Sequence, residues 1–172
     1  MRDTRFVARH RGGPLEPKRH RLLAMWAAKC AEHVLPFFEK VSKDDGPRRA
    51  IETARAWARG EVSVGEAQRA AVAAHAAARE ASTASAIAAA RAAGHAAATA
   101  HMAEHSLGPV IYGCKAVSAE GGSAERERAW QLKQAPVAIR ELVRSGLEKK
   151  LARKTRKPGA AKRGRQAISA RR

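Results

Sequence analysis

Apolar positions recur every three to four residues along most of this chain, and no stretch shows the strict alternation of a half-buried strand. Residues 17–35, PKRHRLLAMWAAKCAEHVL, place Leu22, Leu23, Trp26, Cys30, His33, Val34 and Phe37 on one side of a helix, with Arg21 and Glu32 on the other. Pro17 suits a first helical turn, whereas Pro36 should end or kink the helix and turn Phe37 and Phe38 into a core. A second helix is predicted over 47–59, with Ile51, Ala54, Trp57 and Ala58 inward and Gly60 closing it. Ser63 followed by Glu66 is a capping box, and Val64, Ala71, His75 and Ala78 form the stripe of the helix it starts.

The stretch from Ser82 to His105 is different, because its small residues run all round the wheel. Between Ala81 and Pro109 only Arg91 and Glu104 carry a formal charge. Alanine is the best helix former, so one rod of about 22 residues, roughly 33 Å, is expected. A helix without a wet face is normally enclosed by others. Past SLGP, shorter helices follow: one with Val110, Ile111, Cys114 and Val117 inward, one anchored by Trp130 and Leu132, and one after Pro136 with Ile139, Leu142, Val143, Leu147 and Leu151. The expected fold is all-α: a single bundle-like domain of six or seven helices around the alanine rod. Its bounds are 14–152, between a flexible basic N-terminus at 1–13 and a disordered Lys/Arg-rich tail at 153–172.

Charge changes this picture at the ends. The net formal charge is +18. Residues 1–21 hold seven Lys and Arg against two acids, and 144–172 hold twelve against one, while 22–143 hold fifteen against thirteen. Arg153, Lys154, Arg156, Lys157, Lys162, Arg163 and Arg165 would attract a phosphate backbone without sequence preference, and no aromatic interleaves with them for base stacking. The first residues lack the apolar core of a secretory signal, and no run is apolar enough to span a membrane, so a cytoplasmic protein is expected. Cys30 and Cys114, solitary and far apart, suit small buried hydrophobes.

The sharpest chemical pattern is HMAEH. His101, Glu104 and His105 match H-x-x-E-H, and two histidines at i and i+4 on a helix can hold one metal ion. His75 extends the candidate set, and His33 sits on an inward face as well, so four imidazoles could converge. The competing interpretation makes them core residues that hydrogen-bond across helices. Gly-x-Ser-x-Gly, Walker, dinucleotide-binding and Cys-x-x-Cys patterns are all missing, and neither a catalytic residue nor a cofactor is assigned.

Four segments together carry a resemblance: HRLLAMWAAKCAEHVLPFFE, RRAIETARAWARGEVSVGEAQRAAVAAHAAARE, AAARAAGHAAATAHMAEHSLGPVIYGCKAV and RERAWQLKQAPVAIRELV. Over residues 14–145 the chain resembles the immunity-protein-five-like group of small helical bacterial proteins associated with polymorphic toxin systems. The resemblance implies a non-enzymatic binder that blocks a cognate toxin by direct contact. The alternatives are a nucleic-acid-associated protein using the basic tail, and a metal-binding protein using His75, His101, Glu104 and His105.

Overall fold

The computed structural model describes residues 3–155. Eight α-helices follow in order: α1 Pro17–Val34, α2 Pro36–Glu39, α3 Gly46–Arg59, α4 Val64–Glu80, α5 Ala84–Ala98, α6 Gly108–Ala119, α7 Ala124–Lys133 and α8 Val137–Thr155. Seven have ten or more residues, and α2 is one turn. Among the described residues the sole β-type pairing is an isolated bridge between Ala8 and Leu15.

Helix α5 is the centre. Thr83 caps it by accepting the Ala86 N–H on its hydroxyl, and eleven of its fifteen residues are buried; the other four, Ala84, Ile87, Arg91 and His95, fall on one narrow stripe that is the helix's only partly solvated side. α1, α3, α4 and α6 pack around it. Side chains this small let backbones approach closely, and dispersion between them replaces large buried areas. Local signals set the neighbouring helices. Ser63 and Glu66 form the reciprocal capping box at the start of α4. Gly60 closes α3 with φ +82°, a left-handed conformation that favours glycine. Pro36 ends α1 as expected; Phe38 is buried, and Phe37 only half-buried. Val64 and Trp57 depart from their expected inward places: Val64 is exposed and Trp57 is half-buried.

Two expectations need correction. The rod does not reach His105. α5 ends at Ala98 because Thr99 draws its neighbours out of helical pairing. The Thr99 hydroxyl donates to the His95 carbonyl at 3.1 Å, and the Thr99 carbonyl accepts from His20 Nε2 at 2.7 Å instead of from the next turn. Met102 is then extended (φ −151°), and Ala103–Leu107 form a short 3₁₀ turn.

The N-terminus is not a flexible lead over residues 3–13. Phe6, Ala8 and Leu15 are buried, and backbone bonds join Arg9 N–H to Leu15 O at 2.9 Å and Leu15 N–H to Val7 O at 3.0 Å. This arm lies against α8. Arg5 Nη1 donates to Ser145 Oγ at 2.8 Å, Lys149 Nζ is 3.5 Å from Asp3 Oδ2, and a methyl group on Gly146 would meet the Phe6 ring at 2.9 Å. Apolar burial and ion pairing thus hold a segment whose charge alone suggested looseness. At the other end, α8 continues through residues 153–155, and Arg153 is exposed on its last turn. The expected tail from 156, with Arg156, Lys157, Lys162, Arg163 and Arg165, lies outside the described residues.

Candidate functional site

The densest cluster of polar rings is a row of half-buried imidazoles. His75 from α4 meets His95 from α5 edge-on, with ring centroids 5.3 Å apart. His95 meets His105 at 5.1 Å, and His105 meets His101 at 5.1 Å. Tyr112 from α6 stacks on His95 at 5.2 Å. Two glycines make room for the rings. A Cβ on Gly94 would lie 2.6 Å from His75 Cε1, and one on Gly108 would lie 2.7 Å from His95 Nδ1.

The hydrogen bonding fixes protonation. His95 Nδ1 and His105 Nδ1 are 3.1 Å apart, so one ring donates and the other accepts with a bare nitrogen. Burial pushes His95 down to about 3, and the neighbouring His105 and His75 act the same way. His75 is lowered by burial and then by Arg91 and Arg79, and His101 by burial and then by Arg11. Near neutrality His75, His95 and His101 therefore pack as neutral aromatic groups. His75 Nδ1 and His101 Nδ1 are buried without a hydrogen-bond partner among the described residues.

The four proposed ligands are therefore not delivered as one set. The i, i+4 argument required a helix through His101 and His105, and the break at Thr99 removes it. Glu104 lies 3.9 Å from Lys150, and His75 neighbours His95. No group of three or more His, Cys, Asp or Glu among the described residues has the arrangement to hold a metal ion. His33 belongs elsewhere: its Nδ1 is 3.0 Å from Glu127 Oε1 and its ring stacks on Trp130 with centroids 3.8 Å apart. Glu127 accepts from Gln131 Nε2 at 2.5 Å, and the Gln131 carbonyl accepts from Trp26 Nε1 at 2.8 Å. That set ties α1 to α7. Cys30 and Cys114 are free and buried, and burial raises both thiols.

Sequence reasoning passed over His95, the pivot of the row, and the buried pair Glu127 and Gln131. His95 lies about 100° round the helix from Gly94, off the face traced through Gly94 and Ala98. The signal that could have found it is a glycine on a separate helix, Gly108, whose meaning depends on packing.

An all-helical body of this kind, with its imidazoles spent on cohesion, has the character of a packed scaffold. The family model described as "Imm-5 like putative immunity protein" matches residues 13–138. The chain belongs to that Imm-5-like family. The match takes in α1 to α7 and leaves most of the N-terminal arm and α8 outside. Comparison with curated proteins finds no match, and comparison with solved structures finds none either. No helix among the described residues is long and apolar enough to cross a membrane.

Proposed function

We propose that this protein is an immunity protein that neutralises a cognate toxin by direct contact, without catalysing a reaction, in the cytoplasm of a bacterial host. The observation that carries this reading is the family match, which spans the whole alanine-cored body. The packing agrees with it. A rigid interior leaves recognition to the exterior, where a few desolvated anchors and a complementary charged rim supply affinity and specificity. The test is co-expression with the toxin encoded beside the gene. Growth should be rescued, and the two chains should co-purify as a stable complex. Failure of the neighbouring toxin both to bind and to be neutralised overturns the reading.

The charge of the C-terminal segment favours a second reading, attachment to phosphate backbones through Arg153, Lys154, Arg156, Lys157, Lys162, Arg163 and Arg165. A duplex-DNA titration at rising salt separates the two. Binding that is lost on removing residues 156–172 assigns it to that segment.

A further inference from the structure

A notch of about 130 Å³ opens between the N-terminal arm, the start of α1 and α3. Arg9 and His10 line it from the arm, Pro17 and Arg21 from α1, and Trp57 from α3. It has room for a small polar group such as a side-chain carboxylate. The floor is firm. Trp57 packs against the buried His20 ring, centroids 4.8 Å apart, and His20 is itself pinned through Nε2 to the Thr99 carbonyl. The rim is cationic through Arg9 and Arg21, both exposed, with the exposed His10 beside them. Pro17 opens an eighteen-residue helix whose positive end adds to those guanidiniums.

The surroundings extend this charge. Residues 3–21 carry six Lys and Arg against two acids, and 137–155 carry six against two, whereas 22–136 carry fourteen against twelve. These two basic segments stand far apart in sequence, yet the fold makes them neighbours. Arg5 reaches Ser145, Lys149 reaches Asp3, and Arg19 Nε donates to the Ala138 carbonyl at 3.0 Å. Arg9 already has a carboxylate beside it. Glu16 Oε1 lies 3.7 Å from Arg9 Nη2, with both side chains more than half exposed. Such a pair is worth at most about 1 kcal/mol, so a better-placed carboxylate displaces it readily.

Resting on the reading that the chain binds a protein, we propose that this notch is a docking site for an acidic segment of the partner, which inserts a carboxylate side chain between Arg9 and Arg21 against Trp57. Tryptophan and arginine are the residue types that dominate interface energetics, and a basic field around them speeds encounter with an acidic surface. An acidic polypeptide is favoured over nucleic acid because the exposed carboxylates Glu16, Glu141 and Glu148 interrupt the basic face. A continuous phosphate backbone would be repelled at those points. Arg9 and His10 lie outside the family match and Arg21 and Trp57 within it, so the notch is completed by this chain's own extension.

The test uses the full chain and a short fluorescent oligoglutamate peptide, with duplex DNA as the rival ligand at the same salt. R9E/R21E should weaken peptide binding about tenfold or more, the scale of close charge pairs. R69E/R79E, an equal charge change at exposed positions on α4, should change it less than about twofold, the scale of remote screened charges. E16Q should tighten binding about two- to threefold by freeing Arg9, a gain that damage to the fold would not produce. Equal losses in the two double variants mean that the peptide reads net charge alone, and the notch is then wrong. Tighter binding of DNA with the same R9E/R21E loss replaces the acidic protein by nucleic acid and also overturns the proposal. A toxin complex indifferent to R9E/R21E refutes the notch and spares the immunity reading. Peptide binding as expected, with no toxin bound or neutralised, does the reverse.

Discussion

Helix α1 is a wall between two cores made on different principles. On one side Ala27, Ala28 and Ala31 face α3 and α5, in a cluster that is mostly alanine with Val34, Leu35, Phe38 and Ile51 among its few large members. On the other side Leu23, Trp26 and Cys30 join Phe6, Leu15, Leu107, Val110, Ile139, Leu142, Val143 and Leu147. The second core gains free energy residue by residue, about 1.5–3 kcal/mol for each large apolar side chain removed from water. The first gains little per side chain and depends on close backbone approach. One should fail by losing atoms and the other by gaining them.

Trp26→Ala tests the side built of large residues and carries the largest expected effect. Trp26 is 2 % exposed, and its Nε1 donates to the Gln131 backbone carbonyl, so truncation leaves a large cavity and strips that carbonyl of one of its two donors, the Gln134 N–H remaining. A loss of about 3–5 kcal/mol is expected in urea unfolding. Ala92→Leu tests the alanine side. Ala92 is fully buried in α5, and added methylenes have no space to enter, so a loss of about 1–3 kcal/mol is expected. Ala92→Gly should cost about 1 kcal/mol, mainly through helix propensity. If Ala92→Leu is tolerated while Ala92→Gly is not, the contrast between the cores is wrong.

The imidazole row belongs to the alanine side and makes it the acid-sensitive one. Unfolded histidine binds a proton near pH 6.5, whereas His95 in the fold holds off protonation to about 3. Above pH 6.5 both states are neutral there and stability is complete. As pH falls between those values the unfolded chain takes up a proton that the folded chain refuses, and stability declines at up to about 1.4 kcal/mol per pH unit. His20, His75 and His101 are lowered too and act in the same direction. The groups around His95 are His75, His105, Tyr112, Arg91 and Lys150; none supplies a carboxylate to reverse the sign. His95→Gln should therefore flatten stability against pH between 6 and 4 in chemical denaturation at stepped pH (in steps of about one unit). An unchanged slope would place the acid sensitivity outside the row.

Much of this architecture was legible in the chain. The 3.6-residue period marks α1 and α3, Ser63 with Glu66 marks the start of α4, and the uncharged run marks α5 as the enclosed helix. What the chain concealed depends on partners distant in sequence. Thr99 ends α5 because His20, seventy-nine residues earlier, takes its carbonyl, and alanine propensity argued for continuation. Phe6 fixes the arm because Gly146 leaves space for its ring. His33 separates from the other histidines because Glu127 stands opposite it. The notch at Trp57 needs the arm, α1 and α3 at once, and local period has no access to such a meeting.

The smallest expected effect sharpens the comparison most narrowly. Helix α4 buries Ala67, Ala71, Ala74, Ala77 and Ala78, so tertiary contacts hold it with little apolar area, and its own end structure carries a larger share of its stability. Ser63 Oγ accepts from the Glu66 N–H at 3.2 Å, while Glu66 Oε2 accepts from the Ser63 N–H at 2.8 Å. Ser63→Ala removes the first of these and leaves an N-terminal donor to water, a loss of about 1 kcal/mol by urea unfolding. Ser63→Thr keeps a hydroxyl that accepts from the Glu66 N–H and donates to Glu66 Oε2, and should restore most of it. The matching change on α7 is Ser123→Ala, whose hydroxyl caps the Arg126 N–H but whose helix is also tied to α1 through Trp26 and Gln131. Hydrogen exchange of the first-turn amides should rise more in α4 than in α7, because only α4 lacks a large anchor to hold the frayed end in place. Equal fraying would mean that alanine contacts hold a helix as firmly as a tryptophan does, and the distinction between the two cores would not extend to local opening.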